Sequence, residues 1–239
     1  MTTDSFPSEY EIDEFALGFY GYGDLKAPLW FVGMEEGGGN TADEVTKRIR
    51  AWQIRGCMKL EDVAEYHDAF MKEGFSSIRK QNTWSALSRV QLGYERKLLE
   101  DGDVKQHWKK SLGRHRSGTC ILELNPLPSP GTSAWKYPEF TKLPFLVNRD
   151  AYNLRYGSER VATLRRMILA YSPRAVVFYG RKYETFWSLI AGAPLVSQGL
   201  HKTASNGKIK FASIDHPSAP VAGATSEYYA SLGRGLAET

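Results

Sequence analysis

Four short and almost continuous apolar runs divide the chain. They read LWFVG (29–33), TCILELN (119–125), RAVVFYG (174–180) and IKFASID (209–215). Each run is rich in β-branched or aromatic residues and stops near Gly, Pro or Asn, which is typical of strands. Apolar residues that do not alternate with polar ones indicate strands covered on both faces. The pattern therefore predicts an α/β fold, a three-layer sandwich with a central, mainly parallel four-stranded sheet flanked by helices.

Amphipathic segments with helix-capping residues lie between the predicted strands. One begins at a threonine cap and ends at Gly56, and another begins at Ser158 and is stopped by Pro173. The predicted helices cover 41–56, 61–74, 83–100, 158–173 and 181–192.

The length and the apolar content bound the number of domains. A chain of 239 residues, 42% of them hydrophobic, is long enough to bury one full core. We therefore predict a single domain over 1–239, with a helical insert at about 58–118. The Pro-rich segment 125–145 is predicted to be irregular.

Composition excludes several classes of protein. No apolar run approaches the length of a membrane-spanning helix, and the first residues lack the basic and apolar parts of a secretion signal. We expect a cytoplasmic monomer that does not contact membranes. Cys57 and Cys120 are predicted to be ordinary buried thiols, and two thiols cannot form a four-cysteine zinc or iron–sulfur site.

The net charge of +4 conceals an asymmetry. The first 24 residues carry six acids and no base, which leaves a net charge of +10 on the rest of the chain. The densest basic run spans 105–118 and contains Trp108. Basic residues around an aromatic ring suit a nucleic-acid backbone and an unstacked base. A solvated helix end followed by a loop explains the run equally well.

Every predicted strand leads into a polar, Gly-rich or Pro-rich loop. The loops read MEEGGGN, NPLPSPG, RKYE and HPSAP, in chain order. Parallel strands end at one edge of the sheet, and open α/β folds bind their ligands at that edge. The histidine of the last loop, His216, is therefore expected to lie in a binding site.

The strand ends, with their loops, read FVGMEEGG, ILELNPL, VVFYGRK and SIDHPSAP. This order resembles the uracil-DNA glycosylase superfamily over roughly residues 27–223. The resemblance implies an enzyme that binds DNA, flips a pyrimidine out of the stack and hydrolyses its N-glycosidic bond. It also implies that the reaction uses no metal and no other cofactor.

Two catalytic residues follow from the resemblance. Glu35 would stabilise the positive charge that develops on the sugar and orient water, with Glu36 as the alternative carboxylate. His216 would donate a hydrogen bond to the carbonyl oxygen of the leaving pyrimidine. From the residues alone, two other interpretations remain open. The two glutamates could be a surface pair in a turn, and the histidine could be a structural residue after a strand.

The resemblance also implies binding residues. Asn125 would read the base edge, because an amide offers both a donor and an acceptor, although an Asn before a proline also caps turns. Trp84, Trp30 and Phe31 are candidates for the ring that stacks on the base. The predicted base-binding residues are Asn125, Gly33, Met34, Gly37 and Trp84, and the predicted DNA-binding residues are Ser129, Arg181, Lys182, Ser218 and Val221.

Gly37 departs from the uracil-specific branch, which places a tyrosine two positions after its carboxylate. Gly37 is followed by two more glycines, and their small size removes that steric gate. We therefore expect excision of uracil or of a carbon-5-modified pyrimidine. One alternative is a glycosylase that removes bulky hydroxymethylated or glucosylated cytosines from viral DNA as antiphage defence. The other is a non-catalytic nucleic-acid-binding module on the same fold.

Overall fold

A computed structural model describes residues 5–79, 81–97, 101–131 and 133–238, with only the backbone of residues 101 and 102. The strands are β1 (Gly21–Gly23), β2 (Leu29–Gly37), β3 (Leu60–Glu61), β4 (Thr119–Ser129), β5 (Ala175–Tyr179), β6 (Val196–Gln198), β7 (His201–Asn206) and β8 (Ile209–Ile214). The helices are α1 (Glu9–Gly18), α2 (Ala42–Ile54), α3 (Val63–Phe70), α4 (Asn82–Tyr94), α5 (Asp101–Lys110), α6 (Tyr137–Phe140), α7 (Arg149–Tyr171), α8 (Glu184–Ala191) and α9 (Ser226–Ala237).

The strands form one mixed sheet of eight, in the order β3-β1-β4-β2-β5-β8-β7-β6. The four strands predicted from the sequence are its central neighbours, and each pair among them is parallel. The prediction of four strands was wrong because short strands extend the sheet on both sides. β1 pairs antiparallel with β4, and β7 pairs antiparallel with β8. These strands were missed because β1 is only GYG and β6 is exposed, so neither has an apolar run.

Two buried clusters lie against the two faces of the sheet. Phe31 and Val177 belong to the cluster that contains Leu87 of α4. Their chain neighbours Trp30 and Val176 belong to the cluster that contains Trp187 of α8. Successive strand residues point to opposite faces, so the division between the clusters follows the strand alternation. Because helices cover both faces of the sheet, side chains on both sides of each central strand are buried, and this explains the near-continuous apolar runs.

Strands β2 and β4 run further than their apolar runs. They remain paired through Glu35 and Asn125, and again at Gly37 and Ser129 beyond an irregularity in register. The first part of the segment predicted to be irregular is therefore strand. Hydrogen bonding to a neighbouring strand extends the ladder over residues that have no local strand preference.

Helix α7 begins earlier than predicted. Its cap is Asn148, whose side chain accepts the Ala151 N–H at 2.8 Å, rather than Ser158. The predicted cap lies inside the helix, where it only interrupts the apolar pattern. This correction places Arg149 at the first helical position. The cap of α2 was predicted correctly, because Thr41 accepts from the backbone N–H of Glu44.

The range predicted as a helical insert contains α3, α4 and α5, together with the short strand β3. Helix α4 packs closely on α9, which was not predicted. A Cβ on Gly93 would lie 2.2 Å from the Ala230 carbonyl oxygen, and one on Gly233 would lie 2.0 Å from the Val90 carbonyl oxygen. Two glycines therefore allow the two helix backbones to approach.

The structure contradicts one of the two interpretations of the basic run 105–118 and one prediction about a cysteine. Trp108 is buried in the aromatic core, so the basic run 105–118 does not present this ring to a nucleic acid. Its neighbours Phe75 and Trp84 hold the ring inside. Cys57 is exposed, whereas Cys120 is buried as predicted.

Part of the charge asymmetry is neutralised within the fold. Arg155 of α7 pairs with Glu9 and Asp13 of α1, and Arg50 of α2 pairs with Glu11. The acidic N-terminal segment therefore binds basic residues of the same chain. Among the helices of the described ranges, none is long and apolar enough to cross a membrane.

Candidate functional site

The carboxyl edge of the parallel strands carries a buried carboxylate, Glu35. Its side chain is 4% exposed. Asn125, the partner of Glu35 across the β2–β4 ladder, donates from Nδ2 to Glu35 Oε2 at 3.3 Å. The other oxygen, Oε1, is buried and has no hydrogen-bond partner in the described part of the chain. The two carboxylate oxygens are thus in different environments.

Arg149 holds the Oε2 side of Glu35. Its Nη1 donates to Glu35 Oε2 in an ion pair, and its Nη2 donates to Ser129 Oγ at 2.9 Å and to the Gly131 carbonyl at 3.0 Å. The guanidinium also lies 5.0 Å from the centroid of the Trp135 ring. A planar fork of donors suits this combination of carboxylate, hydroxyl and carbonyl acceptors. Arg149 therefore ties Glu35 to the loop that follows β4.

Sequence reasoning missed Arg149 because no element was predicted between the irregular segment, which ends at residue 145, and the helix predicted to begin at Ser158. A local signal was present: Asn148 is a good helix cap, and Asp150 follows in the first turn, where acids are favoured. No local signal connects this turn with Glu35, because the two residues are 114 positions apart.

Burial dominates the electrostatics of Glu35. Desolvation raises the pKa of its carboxyl above the usual value, while the charge of Arg149 and the hydrogen bond from Asn125 oppose that rise. The charge of Lys182 also lowers this pKa, which indicates that Lys182 lies near the carboxylate. Glu35 is therefore an anion held in a poorly solvated place, with a stronger tendency to take up a proton than a surface glutamate.

Glu36 belongs to a different cluster. It pairs with Arg48, accepts from Tyr22 Oη at 2.8 Å and lies 3.0 Å from His67 Nε2. These partners lower the pKa of Glu36 to about 2, against the cost of its burial. Neighbouring strand residues face opposite sides of a sheet, which separates Glu36 from Glu35. The contacts that the structure describes for Glu36 are all with other side chains of the fold, so Glu35 is the better candidate for the catalytic carboxylate.

His216 follows β8 at the same edge of the sheet. Its Nδ1 accepts the backbone N–H of Ser218 at 3.2 Å, so the proton of the neutral ring is on Nε2. Desolvation lowers the pKa of His216, which favours the neutral ring. The ring lies 5.9 Å from that of Tyr179, centroid to centroid. His216 is thus a neutral donor supported by the loop that follows it.

Tyr179 connects the histidine with the centre of the sheet. Its hydroxyl donates to Glu123 Oε1 at 2.9 Å. A Cβ on Gly33 would lie 2.3 Å from the Tyr179 hydroxyl and 2.6 Å from Glu123 Oε2, so only glycine leaves room for these groups. The predicted role of Gly33 beside a base stays a prediction. Its observed role is to admit the Tyr179 ring.

The remaining predicted base-binding residues differ in their surroundings. Gly37 is exposed, and a Cβ placed on it would meet no atom of the described residues within 4 Å. Met34 is buried, with its side chain against Gly180. Trp84 is partly buried and packs against His67, Phe75 and Trp108. The alternative rings Trp30 and Phe31 are fully buried in the core, so neither lines an open site.

The predicted DNA-binding residues surround the same edge. Ser129 is buried and bonded to Arg149, whereas Ser218 is exposed and lies 3.2 Å from Thr83 Oγ1. Arg181 donates to the Leu200 carbonyl at 2.6 Å and lies 3.4 Å from Asp215. Lys182 and the partly buried Val221 complete the set. Their contacts with DNA stay predictions.

The site is narrow in this conformation. Arg149, 11% exposed, covers Glu35, and Asn125 is buried beneath. Three surface clefts, of about 650, 430 and 310 Å³, lie elsewhere, and Glu35, Asn125 and His216 are not among the residues that line them. Arg149 and the loop bonded to it therefore lie directly against Glu35 in this structure.

No protein-family model matches the chain, and no curated protein matches it in sequence. The resemblance therefore depends on the strand-end motifs and on the chemistry of the residues that they carry. That chemistry is an anionic carboxylate with one unpartnered oxygen, a neutral histidine donor and an amide, all at the carboxyl edge of a parallel sheet.

Proposed function

We propose that the protein is a DNA glycosylase that hydrolyses the N-glycosidic bond of a flipped pyrimidine, uracil or a carbon-5-modified pyrimidine. The observation that carries the proposal is the asymmetry of Glu35. One carboxylate oxygen is held by Arg149 and Asn125, and the other is buried with no hydrogen-bond partner among the described residues, at the edge of the sheet where His216 also lies.

The free oxygen suits the attacking water. Water bound to Glu35 Oε1 would attack the anomeric carbon and give a proton to the carboxylate as the bond to the base breaks. The electron pair of that bond leaves with the base. The negative charge of Glu35 would stabilise the positive charge on the sugar, and its poor solvation strengthens this effect.

His216 suits the departing base. The base leaves as an anion whose charge resides partly on a carbonyl oxygen, and a neutral Nε2–H donor stabilises that charge without a proton transfer. Removal of one donor of this kind costs typically a hundredfold to a thousandfold in rate. Asn125 would contribute an amide to the base edge after its bond to Glu35 is exchanged for one to the substrate.

A second candidate substrate is favoured by the open space at Gly37. Because no atom lies within 4 Å of a Cβ there, a substituent on carbon 5 of the pyrimidine has room at the position where the uracil-specific branch has a tyrosine. Hydroxymethylated or glucosylated cytosines of viral DNA are such bases. Their excision would make the protein an antiphage defence enzyme rather than a base-excision repair enzyme.

The test is release of a free base from oligonucleotides. Single-stranded and duplex DNA containing uracil, 5-hydroxymethylcytosine or its glucosylated form is incubated with the protein, and the released bases are identified by mass spectrometry. We expect release of at least one of these bases, and a loss of at least about a hundredfold in Glu35→Gln. Glu73→Gln is the matched control, because Glu73 is an exposed glutamate outside the site.

Two results of this experiment would contradict the proposal. If no substrate releases a base and Glu35→Gln and wild type bind DNA equally, the protein is a non-catalytic nucleic-acid-binding module. If a base is released equally by wild type and Glu35→Gln, the enzyme acts through another carboxylate and the assignment of Glu35 is wrong.

A further inference from the structure

The smallest of the three clefts described above lies at the edge of the sheet opposite Glu35. It is bounded by the end of α4, the end of α5 and the loop that leads into β4. It has a volume of about 310 Å³, at the small end of the range for ligand pockets. The loop residue Gly118 lines it, and the seven strand residues from there to Asn125 span about 20 Å. The cleft is therefore separate from the candidate active site. The residues that line it are Gln91, Glu95, Lys97, His107, Lys110, Ser111, Arg114, His115, Arg116, Ser117 and Gly118.

The rim of this cleft carries cations without anionic partners. Lys110 and Arg116 are exposed and form no ion pair within the described ranges of the chain. Two further cations are already paired: Arg114 with Asp62 at 2.6 Å, and Lys97 with Glu95 at 2.5 Å. The unpaired charge at the rim is thus about that of two cations. A phosphate group carries the charge and the acceptor oxygens that match it.

The floor of the cleft carries a buried acceptor without a donor. Gln91 is 2% exposed, and its Nε2 donates to Glu95 Oε1 at 2.7 Å. This bond fixes the amide orientation and leaves Oε1 without a hydrogen-bond partner among the residues that the structure describes. Gly118 lies directly over the pair, because a Cβ there would be 3.3 Å from Gln91 Nε2 and 3.2 Å from Glu95 Oε1. Buried acceptors in native proteins are nearly always paired, so this oxygen is available to a donor from a bound group or a water.

We propose that this cleft binds one phosphorylated nucleotide unit. Its phosphate lies at Lys110 and Arg116, and an N–H of its base donates to Gln91 Oε1. A nucleotide combines, in one small molecule, the anion that the rim requires and the donor that the floor requires, and the volume suits one unit rather than two. The unit is either a free mononucleotide or a nucleotide within a nucleic-acid strand. This site is independent of the glycosylase chemistry proposed for Glu35.

The experiment uses calorimetric titration of the full chain with adenosine 5′-monophosphate, whose base carries an exocyclic amino donor. Ribose 5-phosphate, which lacks the base, and a 5′-phosphorylated oligodeoxyadenylate are titrated in parallel. We expect the mononucleotide to bind with a Kd of about 1 mM or tighter. Binding of the oligodeoxyadenylate alone, lost when Lys110 and Arg116 are both replaced by glutamate, would identify a nucleotide within a strand as the ligand of this cleft.

Variants distinguish a built site from general charge attraction. The double variant Lys110→Glu/Arg116→Glu is expected to weaken binding at least about tenfold, whereas Lys142→Glu/Lys208→Glu, which makes the same charge change at exposed lysines elsewhere, leaves it within about twofold. Gln91→Met is expected to weaken nucleotide binding at least about threefold and to leave ribose 5-phosphate binding unchanged. Thermal unfolding of each variant checks that the fold is intact.

Three outcomes would overturn the proposal: no binding of either nucleotide probe, equal weakening by both double variants, or nucleotide binding unchanged by Gln91→Met. In the last case, Gln91 Oε1 is satisfied by water only. Glu35→Gln is expected to bind the nucleotide like wild type, so failure of this site and failure of the glycosylase proposal give different results.

Discussion

Arg149 donates to Glu35 Oε2 and joins the first turn of α7 to the end of β2. The same guanidinium donates to Ser129 Oγ and to the Gly131 carbonyl, so one side chain sets both the carboxylate and the loop beside it. The consequence is chemical as well as structural. With Oε2 occupied by Arg149 and Asn125, only Oε1 is available to a water or a sugar.

Removal of the Arg149 charge is expected to change the pH dependence of base release. Arg149 lowers the pKa of Glu35, so Arg149→Gln raises this pKa further. Glu35 acts as an anion, and activity is lost as the pH falls through its pKa, so the acid limb of kcat moves to higher pH. Arg149→Lys keeps the positive charge, so the acid limb of kcat should stay at the same pH as in wild type. Because lysine lacks the paired N–H donors of the guanidinium, we expect kcat to fall by about tenfold to a hundredfold.

The measurement is kcat against pH for wild type and both variants. Arg155→Gln is the control, because Arg155 lies on the same helix but pairs with Glu9 and Asp13 at the surface. An acid limb of Arg149→Gln that coincides with that of wild type would show that Arg149 does not act on Glu35.

Loss of the His216 donor is expected to slow base release without changing DNA binding. We expect His216→Ala to reduce kcat by about a hundredfold to a thousandfold. His216→Gln restores an N–H donor and should recover part of the rate. Because burial lowers the pKa of His216, the neutral ring is favoured at pH 7, and wild type and His216→Gln should have similar pH profiles at and above neutral pH.

Single-turnover rates and DNA affinity separate this role from a positional one. His201→Ala, at a half-buried histidine of β7, is the control. A His216→Ala variant that loses DNA affinity and keeps its single-turnover rate would identify His216 as a binding residue only.

The open space at Gly37 predicts a change of specificity. Gly37→Tyr places a ring where no atom lies within 4 Å of the Cβ, so the fold should accept it. We expect excision of carbon-5-substituted pyrimidines to fall at least about tenfold, while uracil excision changes by less than about threefold. Gly37→Ala is too small to reach the substituent and should resemble wild type. Equal losses on both substrates would mean that Gly37 does not face carbon 5.

The buried Glu36–Arg48 pair predicts a stability that depends on pH. The folded pKa of Glu36 is about 2, below its ordinary value of 4.5. The stabilisation is therefore complete above about pH 4.5 and is lost as the pH falls toward 2, and its full size is about 3 kcal/mol. Urea unfolding followed by tryptophan fluorescence measures it. Glu36→Gln should show a flatter acid dependence of the free energy of unfolding than wild type does.

Variants of the same pair separate charge from packing. Arg48→Met leaves the Glu36 charge buried without its main partner, and we expect a loss of about 3 to 5 kcal/mol at neutral pH. The double variant Glu36→Gln/Arg48→Met removes that charge and should be more stable than Arg48→Met. A double variant less stable than Arg48→Met would contradict a role based on charge.

The sequence by itself determined the central part of the fold. The four apolar runs are the four adjacent parallel strands, and Thr41 caps the predicted helix, because burial and capping depend on residues close in the chain. It also indicated that Glu35 and Asn125 lie at one edge, since both were predicted at the ends of parallel strands, and the structure pairs them across the ladder. His216 was predicted at that edge for the same reason.

Only the tertiary structure decided which partner holds each of the two carboxylates. Glu35 and Glu36 are adjacent and chemically alike, and they differ only because Arg149 contacts one and Arg48 contacts the other. The short outer strands and the burial of Trp108 were likewise not predictable. Each depends on contacts between distant segments, and such contacts override local preference because burial and hydrogen bonding outweigh the small intrinsic propensities.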